Sequence, residues 1–427
     1  MFLRQLTDRL RESLWFIPVV GLVLAAVAAG LMLALSDWLE VAQVHLPLIF
    51  GGGPEGARGM LQAIAGSVVT VAGVVFSITV VALQLTSTQF SPRVLRNFMR
   101  DRPTQVTLAV FMATIAYALL ILRTIRSAGQ DGTGAFVPGL AVTVALLLAF
   151  VSLIMLVYFI HHIGVRIQVS SIIESVTHET LETVEHMSDE LQRFAPAQAE
   201  GGATRGGRPI AARRSGYLQY LSIGGLVDTA RERDLVISVL VPPGGWVQEG
   251  APLFRVQAAD EATYEDLDEW LADKVGIGSE RSMRQDVGFG VQQLVDVAVK
   301  ALSPGINDPT TATQCIDRLT QVLVAAGRRT TPPRLLADRE GALRVVLRYP
   351  SFADLLQQAF EQVRHFGASM PVVMRHLALA LTTLRQAVPQ EHAEPIRREG
   401  ERLLRGADGM EEEDRDELRA LLMDALA

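Results

Sequence analysis

The sequence holds a single cysteine, Cys315, in 427 residues. That excludes an intrachain disulfide framework, a multi-cysteine metal site and a cysteine-held iron–sulfur cluster. Lysine is nearly as scarce: only Lys274 and Lys300 stand among 39 basic residues. Four stretches, Leu14–Leu35, Met60–Leu85, Val106–Leu122 and Phe136–Ile160, lack Asp, Glu, Lys and Arg altogether. Each meets the roughly 17 to 25 mostly apolar residues that a helix needs to cross a bilayer. Also missing are a nucleophile elbow, a Walker loop, a zinc-protease helix and a dinucleotide fingerprint. No nucleophile, base and orienting residue can be assembled. The chain is therefore not expected to be an enzyme, and no cofactor or metal is called for.

What is present divides into two parts. Hydrophobic residues make up 49% and charged residues 20%, with a mean hydropathy of +0.27. Residues 1–166 carry 11 Arg against 7 acids, whereas residues 167–427 carry 28 basic against 39 acidic residues. The acidic second part argues against nucleic acid as a partner. The first apolar run follows Arg4, Arg9 and Arg11 and meets small residues at Ala25–Gly30. It continues through Leu31, Met32 and Leu33, longer than the ~7 to 15 apolar residues of a signal peptide, and so reads as an uncleaved anchor. Short-loop arginines orient the spans: Arg93, Arg96, Arg100 and Arg102 lie between spans two and three, against Arg58 alone between one and two. Arg123 and Arg126 between spans three and four weaken the contrast. The positive-inside rule then puts both termini in the cytoplasm.

Span two has small and polar residues at helical spacing. At 100° per residue, Ala63, Gly66, Ser67, Thr70, Gly73, Ser77, Gln84 and Thr88 fall near one line, shared with Val74 and Val81, while Thr79 points away. Such a face serves close helix packing or, in a homo-oligomer, lines a wetted path for an inorganic ion. The segment that follows carries Arg93, Arg96, Arg100 and Arg102, suited to anionic lipid or to a pore mouth. Glu174, His178, Glu182, His186 and Glu190 recur every four residues further on, which reads as a solvated helix face before a metal site.

Residues 195–215 read as a linker rich in Gly, Ala and Arg. From Gly216 to Val256, short β-like runs alternate with Gly and Pro turns, an order that resembles the barrel-sandwich fold of biotinyl and lipoyl carriers. That stretch has no lysine for attachment, so a structural or docking barrel is expected. Asp286, Gln293, Asp296 and Lys300 recur at about helical spacing ahead of Ser303-Pro304-Gly305-Ile306-Asn307-Asp308-Pro309. Asp308 is expected to cap the next helix with Pro309 at its first position. Asp286, Gln293, Asp296, Asn307 and Asp308 form either a structural turn or a ligand site.

The runs Gly53–Arg58, Val71–Ser77 and Leu83–Arg93, together with Ser303–Pro309, resemble a bacterial family of predicted membrane proteins classed as a domain of unknown function. The resemblance implies four N-terminal spans and a cytoplasmic C-terminal half, and it brings no activity with it. The expected fold is an α-helical integral membrane domain of four transmembrane helices plus a cytoplasmic α+β region with a small β-barrel-like subdomain and a helical bundle. The expected divisions are 1–166, the membrane domain; 167–194, a connecting helix; 195–215, the linker; 216–258, the β subdomain; 259–330, a helical domain; and 331–427, a hairpin with C-terminal helices. Two functions fit: a homo-oligomeric ion channel or passive transport protein, or a membrane-anchored scaffold or sensor that binds a cytoplasmic partner or small ligand.

Overall fold

The computed structural model describes residues 16–41, 49–89, 101–127, 136–197, 206–258, 266–329 and 334–426. The chain divides into two compact units, Met1–Gln168 and Val169–Ala427.

The first unit is built on four helices, α1 (Phe16–Val41), α2 (Pro54–Gln89), α3 (Arg102–Leu122) and α4 (Gly139–Arg166). All four contain stretches long and apolar enough to cross a membrane. The helix α3 is central and packs on α1, α2 and α4. Small residues allow that closeness: a Cβ on Gly21 would lie 3.1 Å from the Cβ of Ala109. The buried hydroxyls are satisfied inside the unit. Thr114 and Ser152 approach at 3.0 Å, and Tyr117 donates to the Ala141 carbonyl at 3.1 Å. Arg58 donates to the Ile125 carbonyl at 2.9 Å, tying the start of α2 to the end of α3.

The second unit opens with α5 (Val169–Leu191) and then combines two sheets with a helical group. Its strands are β1 (Arg208–Ala211), β2 (Gly216–Leu221), β3 (Leu235–Val239), β4 (Trp246–Val247), β5 (Pro252–Ala258), β6 (Val275–Gly278), β7 (Leu335–Ala337) and β8 (Leu343–Val346). One sheet has the order β1-β5-β3-β8-β7 and the other β4-β2-β6. The helix α6 (Ile223–Glu232) packs on β3 and β8, and the short α7 (Leu267–Ala272) precedes β6. Alternation places Leu235, Ile237, Phe254, Val256 and Val345 in one apolar core with Leu226 of α6.

The expected barrel is corrected by this topology. Among the described residues no barrel closes, because three strands, β2, β3 and β5, take partners from outside 216–258. The strand β3 pairs in parallel with β8, Ile237 opposite Val345, and β2 pairs with β6, Leu218 opposite Ile277. The linker is corrected as well. Residues 208–211 form the edge strand β1 on β5, where Pro209 costs no ladder bond that an edge needs. Both errors have one cause: the pairings join residues far apart in sequence.

The remaining helices are α8 (Val287–Ala301), α9 (Pro309–Arg328), α10 (Phe352–Gly367), α11 (Pro371–Ala387), α12 (Ala393–Gly406), α13 (Glu412–Leu421) and α14 (Met423–Leu426). The helices α8 and α9 pack against each other and against α5. Gly290 makes the α5 contact: an added Cβ would sit 2.0 Å from the Thr180 hydroxyl. Thr183 of α5 donates to the Met283 carbonyl at 2.7 Å.

Candidate functional site

Ala63, Gly66, Ser67, Thr70, Gly73, Ser77 and Gln84 of α2 are all exposed, and so are Val74 and Val81. The helix meets its own unit along a different stripe, on which Ala57, Leu61, Ile64, Ala65, Val68, Val75 and Ala82 are buried. Thr79 is on that buried side and donates to the Val75 carbonyl at 2.8 Å. Around the exposed face the backbone is bare, since a Cβ on Gly66 or Gly73 would meet nothing within 4 Å. Thr70 returns its hydroxyl to the Gly66 carbonyl at 3.0 Å. Arg93, Arg96, Arg100 and the side chain of Thr88 lie outside the described residues. Arg102 is the first residue of α3.

A second polar cluster, not anticipated from the sequence, lies where α3 begins and α4 ends. Asp101 is 4% exposed and caps α3, accepting from the Thr104 amide at 3.2 Å and the Thr104 hydroxyl at 2.6 Å. His162 Nε2 lies 2.8 Å from its Oδ2, and Arg166 donates to its Oδ1 from Nη2 at 3.0 Å and from Nε at 3.3 Å. One carboxylate thus holds two spans together, an arrangement that matches the rule that ionisable groups in such helices pair. The legible signal was Asp101-Arg102-Pro103-Thr104, a cap followed by a proline in the first turn.

In the second unit, the residues read as one turn or ligand site separate. Asp286 caps the start of α8, accepting from the Phe289 amide at 3.0 Å, while Asn307 and Asp308 follow its far end. Fifteen helical residues stand between, roughly 22 Å at 1.5 Å per residue. Asp308 caps α9 through the Thr311 amide at 3.1 Å and hydroxyl at 2.6 Å, with Pro309 in its first turn. Asn307 takes the left-handed φ of 50° between the two helices. Asp296 accepts from Gln292 at 2.8 Å, and Gln293 is buried, its Oε1 without a hydrogen-bond partner among the described residues. Glu174, His178, Glu182 and His186 of α5 are exposed.

Asp286 belongs instead to a built polar centre. Arg281 holds both its carboxylate oxygens, at 2.8 and 2.9 Å, a fork that resists rotation. Burial pushes the Asp286 carboxyl up from its usual range, and the Arg281 fork and the Phe289 amide oppose that rise. The loop after β3 crosses the carboxylate at Gly244, whose φ is 81° and whose Cβ would lie 1.9 Å from Asp286 Oδ2, so only glycine fits there. Gln285 beside it bonds both backbone groups of Leu221, at 2.8 and 3.0 Å, and donates to Glu190 of α5 at 3.2 Å. Neither Gln285 nor Gly244 carried a sequence signal, because their partners lie 64 and 42 positions away along the chain.

Residues 11–383 match a family described as predicted membrane protein, DUF2254. Uncharacterized proteins of Mycobacterium tuberculosis and Mycobacterium bovis are each 36% identical over 403 residues, covering 92% of this chain and 75% of the relative. No solved structure matches. A match across most of the chain, beginning ahead of the four apolar helices and running through the Ser303–Pro309 turn, leads to one conclusion: the chain belongs to this family of predicted membrane proteins.

Proposed function

We propose that the protein is a multi-pass protein of the bacterial inner membrane that assembles as a homo-oligomer and offers a passive path to a small inorganic ion. Copies of the α2 face surround a shared axis, and residues from 169 onward form a cytoplasmic region for assembly and gating. One observation carries this reading: Ser67, Thr70, Gly73 and Ser77 are exposed rather than packed within their own subunit. Thr70 bonds back to its own helix, but hydroxyls left unbonded toward hydrocarbon are unfavourable, and a neighbouring copy or water covering Ser67 and Ser77 relieves that cost. Uncharged hydroxyls can hydrate an ion without the desolvation cost of a buried charge. The arginines Arg93, Arg96, Arg100 and Arg102 raise the positive potential at one mouth. Termini and mouth face the cytoplasm by the arginine bias of the short loops. The reading requires no catalysis.

Cysteine accessibility and flux test it together. Cys315 is buried and its thiol is pushed up by burial and by Asp308, so it contributes little background reactivity. The Ser77→Cys variant is expected to react with a charged, membrane-impermeant thiol reagent and to form disulfides between copies. Ser77→Leu is expected to lower ion flux in proteoliposomes at least tenfold, and replacing Arg93 and Arg96 by Gln is expected to reduce any anion preference. A Ser77→Cys thiol that neither reacts with the reagent nor crosslinks between copies would overturn the path.

A further inference from the structure

We infer that the unit from Val169 onward binds a small organic acid, a carboxylate on a compact apolar body, in the cavity between α5, the start of α8, the end of α9 and the start of α10. This goes beyond the proposed ion path and does not depend on it. The cavity holds about 110 Å³. Its wall includes Val184, Met187 and Leu191 of α5 with Phe352 and Leu355 of α10. Apolar cavities of roughly 150 Å³ enclose a whole benzene ring, so this smaller, partly open space suits the ring or branched chain of a small acid whose carboxylate stays at the open side.

The charge along the lining selects the sign of the polar group. Arg329 and Arg334 both line the cavity and both reach solvent. Arg334 donates one Nη2 to the Tyr349 carbonyl at 3.2 Å, and a guanidinium has five N–H groups to offer. The partners of Arg329 are Glu185 at 3.3 Å and Asp189 at 3.7 Å, which are 66% and 71% exposed, so these pairs are weak and exchangeable. Among the described residues, Asp286 is the one carboxylate of the lining, and Arg281 and the Phe289 amide already occupy it.

Tyr349 supplies the second recognition element. Its Oη is buried with no hydrogen-bond partner among the described residues, a state that costs about 1–3 kcal/mol. Burial, with the Glu190 charge nearby, pushes the phenol up, so the hydroxyl keeps its proton and remains a donor. A carboxylate oxygen that reached it would remove that penalty, and the phenol and two guanidiniums together would favour an acid over its amide. The other polar residues of the lining are engaged: Ser351 with Asp354 in the cap of α10, Gln285 with both backbone groups of Leu221, Ser188 as acceptor from Gln192 at 3.1 Å, and His392 stacked on Phe352 at 4.3 Å.

Equilibrium dialysis of the full chain in nanodiscs, with labelled benzoate and isovalerate, tests the inference. At least one of them should bind saturably, with benzamide about tenfold or more weaker and inorganic phosphate without measurable binding. Arg334→Gln should weaken binding about tenfold, the usual loss for one charge-assisted hydrogen bond. Tyr349→Phe should weaken it several-fold while leaving the melting temperature of the ligand-free protein unchanged or higher, which a merely structural tyrosine would not do. Ala326→Phe fills the cavity and should abolish binding. If neither acid binds, or if phosphate binds as well as benzoate, the inference fails. Binding that persists in Arg334→Gln and in a folded Ala326→Phe variant would place the acid elsewhere and overturn it too.

Discussion

The two units solve opposite solvent problems with the same residue chemistry. In the first, large apolar side chains remain outward: Phe76 is 62% exposed, Ile154 67% and Val157 69%. Its interior mixes a few large side chains, Phe111, Tyr117 and Phe159, with small and hydroxyl-bearing residues such as Ala57, Ala118, Ala145, Thr114 and Ser152. In the second, Phe254, Phe360, Leu226 and Ile237 are at most 1% exposed. Lipid tails are as apolar as leucine, so burying leucine between membrane helices gains little, and close packing and hydrogen bonding decide the interior. Water makes the second unit do the reverse. Burial therefore means different things on either side of residue 168, and an exposed polar face is anomalous only in the first unit.

Matched substitutions give the largest expected contrast. Phe254→Ala should destabilise the second unit by about 3–5 kcal/mol through lost transfer energy and a cavity. Phe76→Ala should have little effect on unfolding in detergent or lipid, because the removed ring leaves no cavity inside the unit. Equal losses in chemical unfolding monitored separately for each unit would break the comparison.

Caps act alike in both solvents and sharpen it. Asp308→Ala removes acceptors of the Thr311 amide and hydroxyl and should cost about 0.5–2 kcal/mol, read as a lower unfolding midpoint of the second unit. Asp308→Asn should recover most of that loss, since its amide oxygen still accepts from the helix amide.

The smallest effect is expected at acid pH. Asp338 accepts from Arg344 at 2.6 Å and from the Ala342 and Glu340 amides at 2.9 and 3.0 Å. The Arg344 bond holds its carboxyl below the usual carboxylate range, assisted by the two amides and opposed by desolvation. The unfolded chain then takes up the proton first as pH falls. This contribution to stability is complete above the ordinary carboxylate pKa of about 4 and is lost below it. Asp338→Asn should flatten the decline in melting temperature between about pH 5 and 3, and an unchanged slope would remove Asp338 as a cause.

Features set by neighbours in sequence were legible. Asp308-Pro309 announces a capped helix, and Gly341 at φ 85° turns the β7–β8 hairpin where Glu340-Gly341 precedes an apolar run. Four uncharged runs disclosed four helices, with ends displaced: α2 begins at Pro54 and α4 continues to Arg166, past His161 and His162. The barrel expectation failed because β-like segments reveal no partner, and β3 finds β8 more than a hundred residues later. The grouping of Asp286 with Asn307 and Asp308 failed on length alone, since α8 holds them apart.

The sequence by itself determined how the solvent is divided: where lipid-length apolar runs stand, which part is acidic, and which face of α2 carries its hydroxyls. Composition and helical period suffice for that, because each depends only on residues within a few turns of one another. Only the tertiary structure decided whether that face is packed or open, that Asp101 joins α3 to α4, and that Arg329, Arg334 and Tyr349 border one cavity. Those facts depend on which distant surfaces meet, and they follow from the packing of whole elements rather than from any local preference.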